Sequence, residues 1–166
     1  EPAATDSDAK TMNKEIAIAL GNIGDKKAVP ALVKLLKTKD NYTVIAAIEA
    51  LGDMKATEAF DALYFIGTDD AIEPFITKKA IIALGNMGDP RAVPGLVRAM
   101  FKERKGISFY GESSFALYQL GKPAADLLVP VVDGKDKELL DWASKNNVKD
   151  VALLAIRPSA AGKAVQ

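Results

Sequence analysis

Apolar residues recur along this chain at helical spacing, in stripes that stop and then restart. Val44, Ala47, Ile48 and Leu51 fall at i, i+3, i+4 and i+7, and Ile16, Ala19 and Leu20, then Ala80, Ile81 and Leu84, follow the same rule. Residues three and four apart share one face of a helix. Each stripe ends on Leu-Gly, where the glycine can take the left-handed conformation that closes a helix. After a short polar break a second stripe begins: Ala28, Val29, Leu32, Val33, Leu35 and Leu36, matched later by Ala92, Val93, Leu96, Val97 and Met100. Asp25 and Asp89 stand where they can cap these second helices, with Pro90 at the first helical position. Pro30 and Pro94 lie near enough to the helix start to forfeit about one backbone hydrogen bond. Thr68-Asp69-Asp70 reads as the cap of a helix beginning near Ile72.

The unit is written more than once. Residues 18–33, IALGNIGDKKAVPALV, and 82–97, IALGNMGDPRAVPGLV, agree at twelve of sixteen positions. Leu-Gly recurs at Leu20-Gly21, Leu51-Gly52, Leu84-Gly85 and Leu120-Gly121, at separations of 31, 33 and 36 residues, the period of a supersecondary repeat. A single helical hairpin cannot bury both of its stripes; stacking on neighbours does so. Ala17, Ala19, Ala46, Ala47, Ala50, Ala80 and Ala83 suit close approach between adjacent units. The second unit has Ala56 in place of the capping Asp. The fourth has a longer loop from Lys102 to Gly111 and continues Gly121-Lys122-Pro123.

Composition narrows the chemistry. Twenty-two basic and twenty-two acidic residues cancel, which argues against a dedicated nucleic-acid or membrane-surface binder. The sequence has no Cys and no His, so disulfides, thiolate nucleophiles, imidazole bases and the usual zinc and iron sites are excluded. No apolar run approaches the length of a membrane-spanning helix. Asp69-Asp70 and Asp133-Gly134-Lys135-Asp136 lack the ligand spacing of a calcium loop. No catalytic residue, cofactor or metal is expected.

The unit xALGxxGDxxAVPxLVxxL, present from Ala19 to Leu36 and from Ala83 to Met100, resembles a HEAT repeat of the subtype named for phycobilisome lyases. The resemblance covers residues from about 12 to 133. It implies an all-α, right-handed α-α superhelix of about four hairpins with a C-terminal helical cap. That family often carries an Arg early in its first helix. Lys14, Ile45, Lys78 and Ser114 stand there instead, so the Asp–Arg ladder between units is expected to be weak or absent and the array to depend mostly on apolar packing. HEAT-like hydroxylases that hold iron through His-Glu pairs are excluded by the absence of His. Trp142 and Asp141, of the aromatic and acidic types that HEAT-like DNA glycosylases use, lie in a closing helix of a neutral chain, and Trp142 reads as core.

The expected organisation is a disordered tether over 1–10, the repeat array over 11–133, capping helices over 134–157 and a flexible tail over 158–166. The tether-like start, exposed by signal cleavage or trimming, favours a cell-envelope or periplasmic protein, including a lipoprotein that has lost its anchoring Cys, over a cytoplasmic one. The function expected is a non-catalytic scaffold that binds a protein or peptide and no nucleic acid, with the oligomeric state open. A bilin-lyase-like enzyme or tetrapyrrole binder, and a structural segment of a longer solenoid, are the alternatives. The candidate contacts are Lys34, Lys37, Tyr64, Arg98 and Lys102 on the face of the second helices, with Arg104, Phe109 and Tyr110 in the long loop. That loop reads equally as a solvated connector with its aromatics tucked inward.

Overall fold

The computed structural model describes residues 6–146 and residue 148. The helix expected over 150–156 and the tail after it lie outside them. The helices are α1 (Asp6–Ile23), α2 (Val29–Leu35), α3 (Asn41–Asp53), α4 (Phe60–Thr68), α5 (Pro74–Met87), α6 (Val93–Met100), α7 (Tyr110–Leu120), α8 (Lys122–Val132) and α9 (Lys137–Lys145), with a two-stranded hairpin, β1 (Glu103–Arg104) and β2 (Ile107–Ser108), between α6 and α7. The fold is all-α and solenoid-like. Among the described residues no helix is long and apolar enough to cross a membrane. The chain divides into two compact units, residues 1–119 and 120–166.

In the first unit α1 packs on α3 and α3 on α5, with α2, α4 and α6 forming the second layer. Asp25 and Asp89 cap as expected, accepting from the backbone N–H of Lys27 and Arg91 at 2.9 Å each. Hydrogen bonds from the Arg91 side chain hold the Asp89 carboxyl below the usual carboxylate range. Each second helix opens with one 3₁₀ turn (Lys26–Ala28, Thr57–Ala59, Pro90–Ala92) before the α-helix proper. The cap of α5 differs from the expectation: Glu73 accepts from Phe75 N–H at 2.7 Å, and α5 begins at Pro74 rather than near Ile72. Helix α1 begins at Asp6, inside the stretch read as tether, and Lys10 O accepts from the Thr43 hydroxyl on α3.

Three of the four Leu-Gly glycines do not end helices. Gly21, Gly52 and Gly85 lie within α1, α3 and α5, and the left-handed residues come three positions later, at Gly24 (φ 71°) and Gly88 (φ 77°). The reason for glycine lies across the interface. A Cβ on Gly21 would stand 2.7 Å from Ala50 Cβ, one on Gly52 2.8 Å from Ala83 Cα, and one on Gly85 2.7 Å from Ala116 Cα. Each glycine therefore seats an alanine of the next unit. Gly52→Ala is expected to destabilise the protein by about 1–3 kcal/mol through overpacking. Gly111→Ala, in the first turn of α7 with nothing within 4 Å of its Cβ, should instead stabilise it by about 0.5 kcal/mol through helix propensity. Urea unfolding of the two variants checks the opposite signs.

The position of Gly24 and Gly88 is held in the second unit by Lys55, at φ 49°. A side chain in the left-handed region is strained, so Lys55→Gly should raise stability by about 1 kcal/mol, read as a shift in denaturation midpoint.

The glycine seats also correct the fourth unit. Ala50, Ala83 and Ala116 are 33 residues apart, which puts Leu117-Tyr118, not Leu120-Gly121, in register with Leu51-Gly52 and Leu84-Gly85. Tyr118 is 80% exposed at the glycine position, and Gly121 instead precedes α8 at φ 63°. At the other end, Ile16 is 44% exposed and Ala19 is exposed, whereas their equivalents Ala47 and Ala80, and Ala50 and Ala83, are buried. Of the stripe read as core in α1, Ile16 and Ala19 are thus exposed and Leu20 is half-buried.

Polar groups also cross between units, beside the mainly apolar packing that was expected. Asn86 donates to Asp53 Oδ1 at 3.2 Å and accepts from Gln119 Nε2 at 2.9 Å. Lys79 pairs with Glu49 at 2.6 Å and Lys78 with Glu112 at 2.8 Å. A Lys–Glu and amide ladder thus takes the place of an Asp–Arg one.

In the compact unit that starts at Leu120, Pro130 lies inside α8, near its end, and its carbonyl accepts from the N–H groups of Lys135 and Asp136. Asp136 caps α9 through Leu139 N–H at 2.9 Å, and Leu139 and Ala143 are buried. Trp142 is half-buried.

Candidate functional site

The connection between α6 and α7 is a built element. Lys105 (φ 52°) and Gly106 (φ 73°) form the two central residues of a tight turn, both left-handed as a type I′ hairpin requires, and pair Arg104 with Ile107 and Glu103 with Ser108. The Lys-Gly between two short alternating stretches was the signal that could have revealed this hairpin in the sequence.

The hairpin presents Arg104 to the turn between α4 and α5. Its Nη1 donates to the carbonyls of Asp69, Asp70 and Ile72 at 3.2, 2.8 and 2.8 Å, and its Nη2 to Thr77 Oγ1 at 2.7 Å. The guanidinium also lies over the Phe109 ring, 4.8 Å from its centroid. A planar fork of donors is what allows one side chain to bind a turn, a helix and a ring together. Asp69 meanwhile folds its own turn, accepting from Ala71 N–H.

Beside this staple is a cavity of about 130 Å³, walled by Tyr64, Gly67 and Thr68 of α4, Arg98 and Ala99 of α6, and Lys102, Arg104 and Phe109 of the connection. Gly95 opens it: a Cβ there would stand 2.7 Å from Tyr64 Cε2, so glycine lets α6 approach α4. Tyr64 is held in turn by a stacked ring contact with Phe60 at 5.4 Å, and Phe60 carries the Arg91 guanidinium 4.1 Å from its centroid.

Five of the eight candidate contacts therefore meet in one cavity: Tyr64, Arg98, Lys102, Arg104 and Phe109. Phe109 is 1% exposed and serves as floor. Lys34 and Lys37 are exposed at and just beyond the end of α2, away from it, and Tyr110, 59% exposed at the start of α7, does not line it. The sequence reading missed Asp70 and Thr77, which the cavity also includes.

The family follows from comparison with known proteins. Residues 2–74 match the family described as HEAT repeats, and residues 78–102 match the PBS lyase HEAT-like repeat. The chain is a HEAT-repeat protein of the PBS-lyase type. The second match contains the Gly85 seat, the capped start of α6 and Lys102. This HEAT-repeat protein is also similar to the phycocyanobilin lyase subunit alpha of Nostoc sp. (strain PCC 7120), with 29% identity over 142 residues, covering 77% of this chain. It spans 50% of that relative's length.

Proposed function

We propose that this chain is a binding scaffold that holds a protein or peptide partner on the face made by α4, α6 and the β1–β2 hairpin, without catalysis of its own. The observation that carries this reading is the convergence of Tyr64, Arg98, Lys102 and Arg104, from three separate segments, on one cavity pinned by a guanidinium staple. Tyr and Arg are the residue types that dominate binding hot spots, and repeat proteins present extended surfaces for such contacts. Capture of partners from native extract by the wild-type chain and by Arg98→Glu/Lys102→Glu tests it. The expected result is a specific protein retained by the first and lost by the second, with the far-UV circular dichroism of both unchanged. Equal capture by both would put the site elsewhere.

The second reading is a bilin-lyase-like enzyme or tetrapyrrole binder, which the similarity to a phycocyanobilin lyase subunit favours. A cavity of about 130 Å³ suits an anchoring group better than a whole ligand of drug size, whose pockets run to roughly 300–1,000 Å³. Saturable changes in the absorbance of added phycocyanobilin would support this alternative. The third, a segment of a longer solenoid, draws on the 50% share of the relative that the chain spans.

A further inference from the structure

The cavity holds three cationic side chains, Arg98, Lys102 and Arg104, and one carboxylate, Asp70. The guanidinium of Arg104 spends its two terminal nitrogens on neutral acceptors, and its buried Nε has no hydrogen-bond partner. The nearest carboxylate oxygen, Asp70 Oδ1, is 3.9 Å from that Nε, while Lys102 Nζ grips the two Asp70 oxygens at 2.8 and 3.1 Å. One carboxylate is thus shared by two cations. The side chain of Asp70 is 64% exposed, those of Lys102 and Arg104 only 27% and 16%. A carboxylate reaching in from solvent onto half-buried cations, on a turn that its side chain does nothing to build, has the geometry of a ligand group supplied by the chain itself.

We infer that this cavity receives a carboxylate side chain, Asp or Glu, of the bound partner, and that Asp70 is the resident competitor such a side chain displaces. The inference rests on the partner-binding reading above. A single negative charge suits the site better than a dianion. Part of the lining is apolar, with Phe109, Ala99 and Gly67, and stripping water from a doubly charged group against such a wall is the costlier step.

The test follows the Nε–H resonance of Arg104 by ¹⁵N–¹H correlation in the full chain. The probes are acetylated, amidated Ala-Glu-Ala, its Ala-Gln-Ala counterpart, and inorganic phosphate. The Glu peptide should shift that resonance saturably in the millimolar range and the Gln peptide should not. Asp70→Asn, which removes the competitor, should tighten the Glu peptide by about fivefold, and Lys102→Gln should weaken it by a similar factor. Opposite signs from two members of one ion pair are not what a purely structural pair gives, since either change would then act in the same direction. A Glu peptide that leaves the resonance unmoved in Asp70→Asn, a response shared with Ala-Gln-Ala, or tighter binding of phosphate would each overturn the inference. If the peptide binds as expected while no protein is captured, the partner reading fails and the carboxylate site stands, taking its acid from a free small molecule. If a captured protein is not released by excess Glu peptide, the partner reading stands and this inference fails.

Discussion

Leu84→Ala is expected to lower the unfolding free energy by about 2–5 kcal/mol, the range for large-to-small changes in a core that relaxes only partly. Leu84 is 1% exposed in α5. Its Cδ1 stands 3.2 Å from where a Cβ on Gly67 of α4 would be, so the side chain fills the space between its own repeat unit and the preceding one. Gly85, the next residue, seats Ala116 of the following unit. Truncation therefore opens a void where successive units meet, and in a repeat array such contacts between units contribute to stability. Urea unfolding read by circular dichroism decides it. An unchanged slope with a lower midpoint is loss of stability alone, whereas a reduced slope would mean that the units on either side no longer unfold together. A change below about 1 kcal/mol would be too small for a side chain in the core.

Arg104→Met is the second large effect, expected to cost about 2–4 kcal/mol, since hydrogen bonds to a charged donor are worth more than neutral ones and part-buried acceptors that lose a partner pay for desolvation. The methionine keeps apolar contact with Phe109 but takes the Arg104 donor from the carbonyls of Asp70 and Ile72 and the hydroxyl of Thr77, and leaves the Asp69 carbonyl only Ile72 N–H at 3.4 Å. Arg104→Lys separates charge from geometry. A lysine keeps the charge but cannot reach a turn and a helix at once, so its stability should lie closer to that of Arg104→Met than to the wild type. Thermal unfolding gives the magnitude. Faster amide exchange confined to residues 69–77 would locate it.

Local rules and through-space rules were unequally legible in the sequence. The caps at Asp25 and Asp89 and the early prolines are local: donor, acceptor and backbone angle lie within a few residues, and they are as expected. The role of the Leu-Gly glycine is not local. Its partner is an alanine about thirty residues on, and a glycine that permits close approach reads in one sequence just like a glycine that ends a helix. The same ambiguity made Leu120-Gly121 look like a fourth anchor, when the 33-residue interval from Ala50 to Ala83 to Ala116, repeated by Asp53, Asn86 and Gln119, marks the true register. At the candidate site, Tyr64, Arg98, Lys102 and Arg104 were visible as types that favour binding. The staple was not, because three of the four acceptors of Arg104 are backbone carbonyls, and a carbonyl has no letter of its own.

The interval from Ala83 to Ala116 equals that from Ala50 to Ala83, although the first contains a nine-residue connection, 101–109, and the second a five-residue one, 69–73. Three of the four extra residues are absorbed by α7, which starts later and is shorter than α5, 11 residues against 14, and the fourth by α6, 8 residues against 9 in α4. Spacing and outline are therefore set by separate parts of the chain. Glycine on alanine acts as a ruler with fixed graduations, while the outer connections can lengthen, fold into a hairpin and take on new side chains without moving a single mark on it.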